Sequence, residues 1–185
     1  MSHSNNQIAN AIYAGIGSRE TPEHVKQLMM KVARSLAGQG WTLRSGAAPG
    51  ADKAFEIGCD QAQGTKEIYI PWRGFDGRLN GPEIIMSNSV LPNLQEAYNL
   101  AARFHPMWHR CSKGAKKLHT RNMYQILGRD LESPVRVVIC WTKNGAGKGG
   151  TGQALRLAQF LDIEIHDLGK PDVLADYEEH FKDKS

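Results

Sequence analysis

The run Val135–Trp141, VRVVICW, constrains the fold of this chain more than any other stretch. A nearly continuous apolar strand of this kind is buried on both faces, as inside a parallel sheet. The glycine-rich turn TKNGAGKGG follows, and TGQALRLAQFLD then reads as a helix with Ala154, Leu155, Ala158 and Leu161 inward. The same order recurs upstream. AIYAG (Ala11–Gly15) reads as a strand, and the helix after it has Thr21 as N-cap and Pro22 in its first turn. That helix carries Val25, Leu28, Met29, Val32 and Leu36 on one stripe and stops at Gly38 and Gly40. WTLRS (Trp41–Ser45), a turn, a helix from Asp52 to Cys59 and the strand KEIYIPW come next. Alternation of this type specifies βαβ units. The expected fold is α/β: a three-layer, Rossmann-like, doubly wound parallel sheet in a single domain, 1–185.

The remaining segments fit that frame. Residues 1–10 form a polar N-terminal tail, and 73–92 has the composition of a long loop, a candidate lid. NLQEAYNLAARF and KGAKKLHTRNMYQILG read as helices, the first with Leu94, Ala97, Tyr98 and Ala101 on one side. IEIHDLG is the last strand, and the tail from Asp172 a surface helix.

Composition excludes several classes. With 41% hydrophobic and 23% charged residues, the chain reads as a soluble globule. No apolar run approaches the ~20 residues of a spanning helix. The N-terminus lacks signal-peptide character, so a cytoplasmic protein with no membrane partner is expected. Cys59, Cys111 and Cys140 are scattered without zinc-site spacing and are expected to be reduced, Cys140 in the core. Between Arg103 and Arg121, the cations Arg103, Arg110, Lys113, Lys116, Lys117 and Arg121 and the histidines His105, His109 and His119 occur without an acid. Such an excess attracts phosphate, or is solvated helix surface; it is too small to argue for duplex DNA. Pro106 interrupts the histidines, so solvated or phosphate-facing imidazoles are expected and no metal site.

Three strand-to-helix turns share the carboxyl rim, where open α/β sheets bind ligands. GIGSR offers Gly15 and Gly17 for close approach, the Ser18 hydroxyl and the Arg19 fork. Glu20 stands where a dinucleotide fingerprint needs glycine. SGAAPGAD supplies Ser45, Gly46, Ala47, Gly50 and Ala51 before a helix N-terminus that can receive an anion. Asp52, in the first turn, can bond a ribose hydroxyl or simply complement the helix dipole. GKGGTG supplies Gly149, Gly150, Thr151 and Gly152, with Gln153 next. It is not a Walker A loop, since Gly149 follows Lys148, yet it can nest a phosphate. No cofactor is called for.

GSR, SGAAPGAD after the second strand, GGTG leading a helix, and RNMYQILG (Arg121–Gly128) together resemble the SLOG superfamily. That group includes the Rossmann-like domain of DNA-processing protein A, the Lonely Guy phosphoribohydrolases and sensor domains for NAD-derived nucleotides. SGAAPGAD is similar to the SGxAxGID segment of the DNA-processing proteins, and RNMYQILG to their RNRIIAGLS helix. The resemblance runs from Tyr13 to about Leu168. It implies that Arg121 and Asn122 line the pocket, and it implies a homodimer.

The departures bear on chemistry. The phosphoribohydrolase motif PGGxGTxxE, placed on Gly149–Gly152, needs Pro at Lys148, Thr at Gln153 and its catalytic Glu at Arg156. The phosphate cradle is kept and the acid is not. N-glycoside cleavage needs a carboxylate, for which Glu96 and Asp52 are the candidates. Three classes of function follow: a sensor or sponge for a nucleotide-type molecule (a nucleoside monophosphate, an ADP-ribose-like or a cyclic nucleotide), an N-glycosidase acting on nucleoside monophosphates, and an accessory protein that binds single-stranded DNA. The lost glutamate favours the first. Trp72, Phe75 and Trp108 are the aromatics available to stack on bases.

Overall fold

The computed structural model describes residues 11–79 and 81–182, so the 1–10 tail lies outside the described residues. The strand β5 (Val137–Trp141) is buried along its whole length. It lies between β1 (Ile12–Gly17) and β6 (Glu164–Asp167) and is parallel to both. Val138 and Cys140 enter the core on one face, while Val137, Ile139 and Trp141 enter the core on the other. That two-sided burial is why its sequence does not alternate.

Three further strands extend the sheet: β2 (Thr42–Ser45), β3 (Lys66–Ile70) and β4 (Ile84–Ile85). All pair in parallel, in the order β4-β3-β2-β1-β5-β6. Helices α1 (Glu23–Gly38), α2 (Ala51–Gln61) and α6 (Pro171–His180) cover one face. The other face carries α3 (Leu94–Arg103), α4 (Lys113–Leu127) and α5 (Gly149–Phe160). The described residues thus form the single three-layer α/β unit expected from the sequence. The chain leaves β1 toward β2 on one side while β5 joins on the other, so the helices diverge there and open a crevice at the carboxyl ends.

Local details differ from the sequence reading. The first helix is capped by Pro22 in extended conformation, because the Thr21 hydroxyl donates instead to the Ser18 carbonyl at 2.7 Å. On α5 it is Leu157 that packs inward, whereas Leu161 lies past the helix end and is exposed. The 73–92 segment is not a free loop. It turns at Phe75, which is buried against Ala47, Ala48, Ile68 and Ile70, and then adds β4 to the sheet edge. Arg78 pins it by pairing with Glu56 of α2 and with Glu83. A strand of two residues is too short to show a period among Gly, Pro and Asn.

Helices α1 and α2 approach closely at Gly58, where a Cβ would overlap the Met30 carbonyl. Backbone cannot swing aside as a side chain can. Gly58→Ala therefore destabilises by about 1–2 kcal/mol despite alanine's better helix propensity, which a urea titration would register.

Candidate functional site

The crevice is a cleft of about 520 Å³ lined from three directions. Gly17 comes from the end of β1, Ser18, Arg19 and Glu20 from the turn after it, and Lys143 and Lys148–Thr151 from the segment after β5. Ala48 faces it from the turn after β2, Asp52 from α2, and Leu118, His119, Arg121, Asn122 and Gln125 from α4. The volume is in the usual range for a small-molecule site.

Each turn has its shape for a local reason. Ser18 accepts from the Glu20 amide through its hydroxyl, and its own amide donates to the Trp141 carbonyl at 3.1 Å. Gly50 has φ near +91°, and a Cβ there would strike the Ser18 carbonyl, which also accepts from the Ala51 amide at 3.3 Å. Only glycine serves at that position. After β5, buried Asp167 accepts from the Thr142 amide and hydroxyl, and that hydroxyl in turn accepts from the Gly147 amide at 3.0 Å. The loop is thereby set before α5 begins. No side chain caps α5, so its first amides, at Gly149, Gly150 and Thr151, keep their donors for something else.

The electrostatics divide floor from rim. On the floor, Asp52 and Arg121 are both buried. Asp52 accepts from the Gly17 amide at 3.1 Å. Burial pushes its carboxyl up to about 6, against the opposing pull of Arg121 and of the Ala48, Gly17 and Gly46 amides. The Arg121 guanidinium donates to the carbonyls of Gly46 and Tyr69 and to Asn122 Oδ1. At the rim, Arg19, Lys143 and Lys148 are exposed. The acid among them is Glu20, whose contact with Lys143 is a loose 3.9 Å. Gln125 is buried at the cleft wall with no hydrogen-bond partner for its Nε2.

The expected site residues separate into two groups. Gly17, Ser18, Arg19, Asp52, Arg121, Asn122, Gly149, Gly150 and Thr151 line the cleft. Gly15, Ser45, Gly46, Ala47, Gly50, Ala51, Gly152 and Gln153 lie behind it as supports. A Cβ at Gly15 would meet Phe55, and the Ser45 hydroxyl donates to the Gly15 carbonyl. Gln153 is fully buried, donating to the Ala101 carbonyl and accepting from Asn122. Glu96 is exposed on α3 and does not line the cleft. Arg156, where the phosphoribohydrolases carry glutamate, donates to the Phe104 carbonyl at 2.7 Å and so holds the end of α3.

Other expectations need correction. His119 is not solvated: it is buried, its ring centroid 4.3 Å from that of His105, and burial with the His105 charge pushes it down to about 4. Arg121 is withdrawn from the basic patch into the protein. Phe75 is buried, Trp72 packs edge-on against it, and Trp108 packs against Tyr98, so no Phe, Tyr or Trp lines the cleft. Nor does any described residue of 73–92 reach it. Lys143, His119 and Gln125 were not foreseen as lining residues. Their only signal is position, since they flank motifs that were read.

No family model matches the chain, and no curated protein matches it significantly. Among solved structures, the Moco carrier protein from Chlamydomonas reinhardtii aligns with a TM-score of 0.52 and 15% identity, over 95% of this chain and 86% of that one. DNA processing protein A (DprA) from Streptococcus pneumoniae aligns with a TM-score of 0.50 and 16% identity, over 94% of this chain. The chain spans 56% of that protein's length. At this identity the likeness concerns fold, and none of the described helices is long and apolar enough to cross a membrane. The chain thus shares the fold of these two proteins, in keeping with the resemblance to the DNA-processing proteins read from its sequence.

Proposed function

We propose that the cleft binds a phosphorylated small molecule of nucleotide type. The observation that carries this reading is the uncapped N-terminus of α5 opening between Arg19, Lys143 and Lys148. Free amides at the positive end of a helix, ringed by cations, suit a phosphate. The buried Asp52 carboxylate suits a sugar hydroxyl, and the unpartnered Gln125 amide suits an acceptor on the ligand.

The test is incubation of the pure protein with nucleoside monophosphates, cyclic nucleotides, NAD and ADP-ribose, with chromatography following bound and free species. Retention of one of them intact is the expected result. Arg19→Ala then weakens binding by about tenfold or more, the worth of a charge-assisted hydrogen bond. Retention of none would overturn the reading and move the weight to single-stranded DNA, where steep salt dependence is the signature.

A second reading rests on Asp52. It is a carboxyl in the cleft that burial raises to about 6, in the direction an N-glycosidase needs for its acid–base residue. Release of free base and ribose phosphate in the same assay, abolished by Asp52→Asn, would establish it. Glu96, outside the cleft, has no part in this version.

A further inference from the structure

Beside the cleft lies a cluster that the nucleotide reading does not use. His105 follows the end of α3, Cys111 follows a short turn at Trp108–Arg110, and His119 is on α4. The chain between them doubles back. Met107 donates its amide to His105 Nδ1 at 3.2 Å, and Ser112 caps α4 by accepting from the Ala115 amide. These local bonds bring together three residues that their spacing keeps apart. One ligating atom from each lies within 4.8 Å of the others. His109, on the same turn, is exposed.

We propose that His105, Cys111 and His119 bind a divalent transition metal ion of the zinc type. Three observations support it. The first is distance. Cys111 Sγ is 3.7 Å from the His105 ring nitrogens. In a tetrahedral zinc site, ordinary bond lengths place a sulfur and a nitrogen ligand about 3.6 Å apart. The second is an unmet need. His119 is 8% exposed, and its Nδ1 is a buried side-chain nitrogen with no hydrogen bond of ordinary geometry, the neighbouring Gln153 side chain notwithstanding. A buried imidazole nitrogen left this way is costly unless something coordinates it. The third is donor chemistry. Two imidazoles and a thiol select zinc, cobalt or a neighbouring metal over magnesium or calcium, which require oxygen ligands.

The surroundings refine the proposal. A neutral imidazole has a single lone pair, so His105 ligates only in exchange for the Met107 amide bond that its Nδ1 now accepts. Cys111 would ligate as its thiolate, the form in which sulfur binds such ions. Three protein ligands leave a fourth position for water or another molecule, the arrangement of reactive rather than purely structural zinc. His119 also lines the cleft, so the ion would adjoin whatever the cleft binds.

Cobalt titration of the reduced protein tests this, because thiolate-bound tetrahedral cobalt gives a charge-transfer band in the near ultraviolet together with intense visible bands. One equivalent of cobalt per chain with both features is expected, displaced by zinc. Cys111→Ser exchanges one atom at a half-buried position, so the fold survives, as circular dichroism would verify. It should lose the charge-transfer band and weaken zinc binding at least about 100-fold, beyond what loss of an outer-sphere partner costs. His105→Gln should weaken it comparably. No cobalt spectrum in the wild type, or a charge-transfer band that persists in Cys111→Ser, would overturn the assignment.

Discussion

Replacing Arg121 by alanine is expected to cost about 3–5 kcal/mol of folding stability, since several buried acceptors lose a charged donor at once. The reason is accumulation. The carbonyls of Gly46 and Tyr69 lose a donor, as does Asn122 Oδ1, and Asp52 loses its counter-charge. The carboxyl of Asp52, already raised to about 6, then rises further. The sign of the pH effect follows. A carboxyl whose folded pKa exceeds its unfolded value of about 3.9 makes the protein most stable below that value, with stability falling as pH rises through the folded pKa. In the wild type this decline ends near 6. In Arg121→Ala it continues beyond, so the gap between the two proteins should be wider at about pH 8 than at about pH 5. Urea titrations at both values measure it. A loss below about 1 kcal/mol at both would mean that Arg121 is not desolvated as the structure has it.

Gly150→Asp should separate folding from binding. A Cβ at Gly150 meets nothing within 4 Å, and its φ is not in the left-handed region, so the side chain is accommodated. A carboxylate in the first turn of α5 also complements the helix dipole, by about 0.3–1 kcal/mol. The thermal midpoint should therefore hold or rise slightly. The same carboxylate would occupy the amides offered to a phosphate and repel it, so affinity for a phosphorylated ligand should fall at least about 100-fold. Calorimetry beside a thermal melt gives both numbers. Gly150→Ala, equally accommodated but uncharged, should bind within a fewfold of wild type. Equal loss in both variants would point to backbone freedom rather than charge.

Much of this was legible in the sequence because local rules and tertiary demands agreed. A strand buried on both faces has to be apolar throughout, and Val137–Trp141 is. The turns on the rim announced themselves through small residues, and they do meet at the cleft. Less visible was what stands behind them. Gly15 and Ser45 carry the same signature as Gly17 and Ser18, but their smallness serves the packing of Phe55 and a hydrogen bond to backbone. Composition does not separate a glycine that admits a ligand from one that admits a neighbour. Glu96 was picked as a carboxylate on the helix after a long loop, and only the direction of α3 shows it facing outward. The His105–Cys111–His119 cluster was hidden for the opposite reason. Pro106 broke the spacing that a motif would need, and the turn after it restored in space what the spacing had lost.

The bonds that join the rim turns have a consequence for anyone wishing to retarget this protein. The Ser18 carbonyl receives the Ala51 amide, the Ser18 amide reaches Trp141, and Asp52 holds the Gly17 amide. These segments are stitched to one another more than to solvent. They do not behave as interchangeable modules, each graftable from another scaffold. A new specificity would be reached by exchanging them as a set, or by changing side chains while the stitching is left whole.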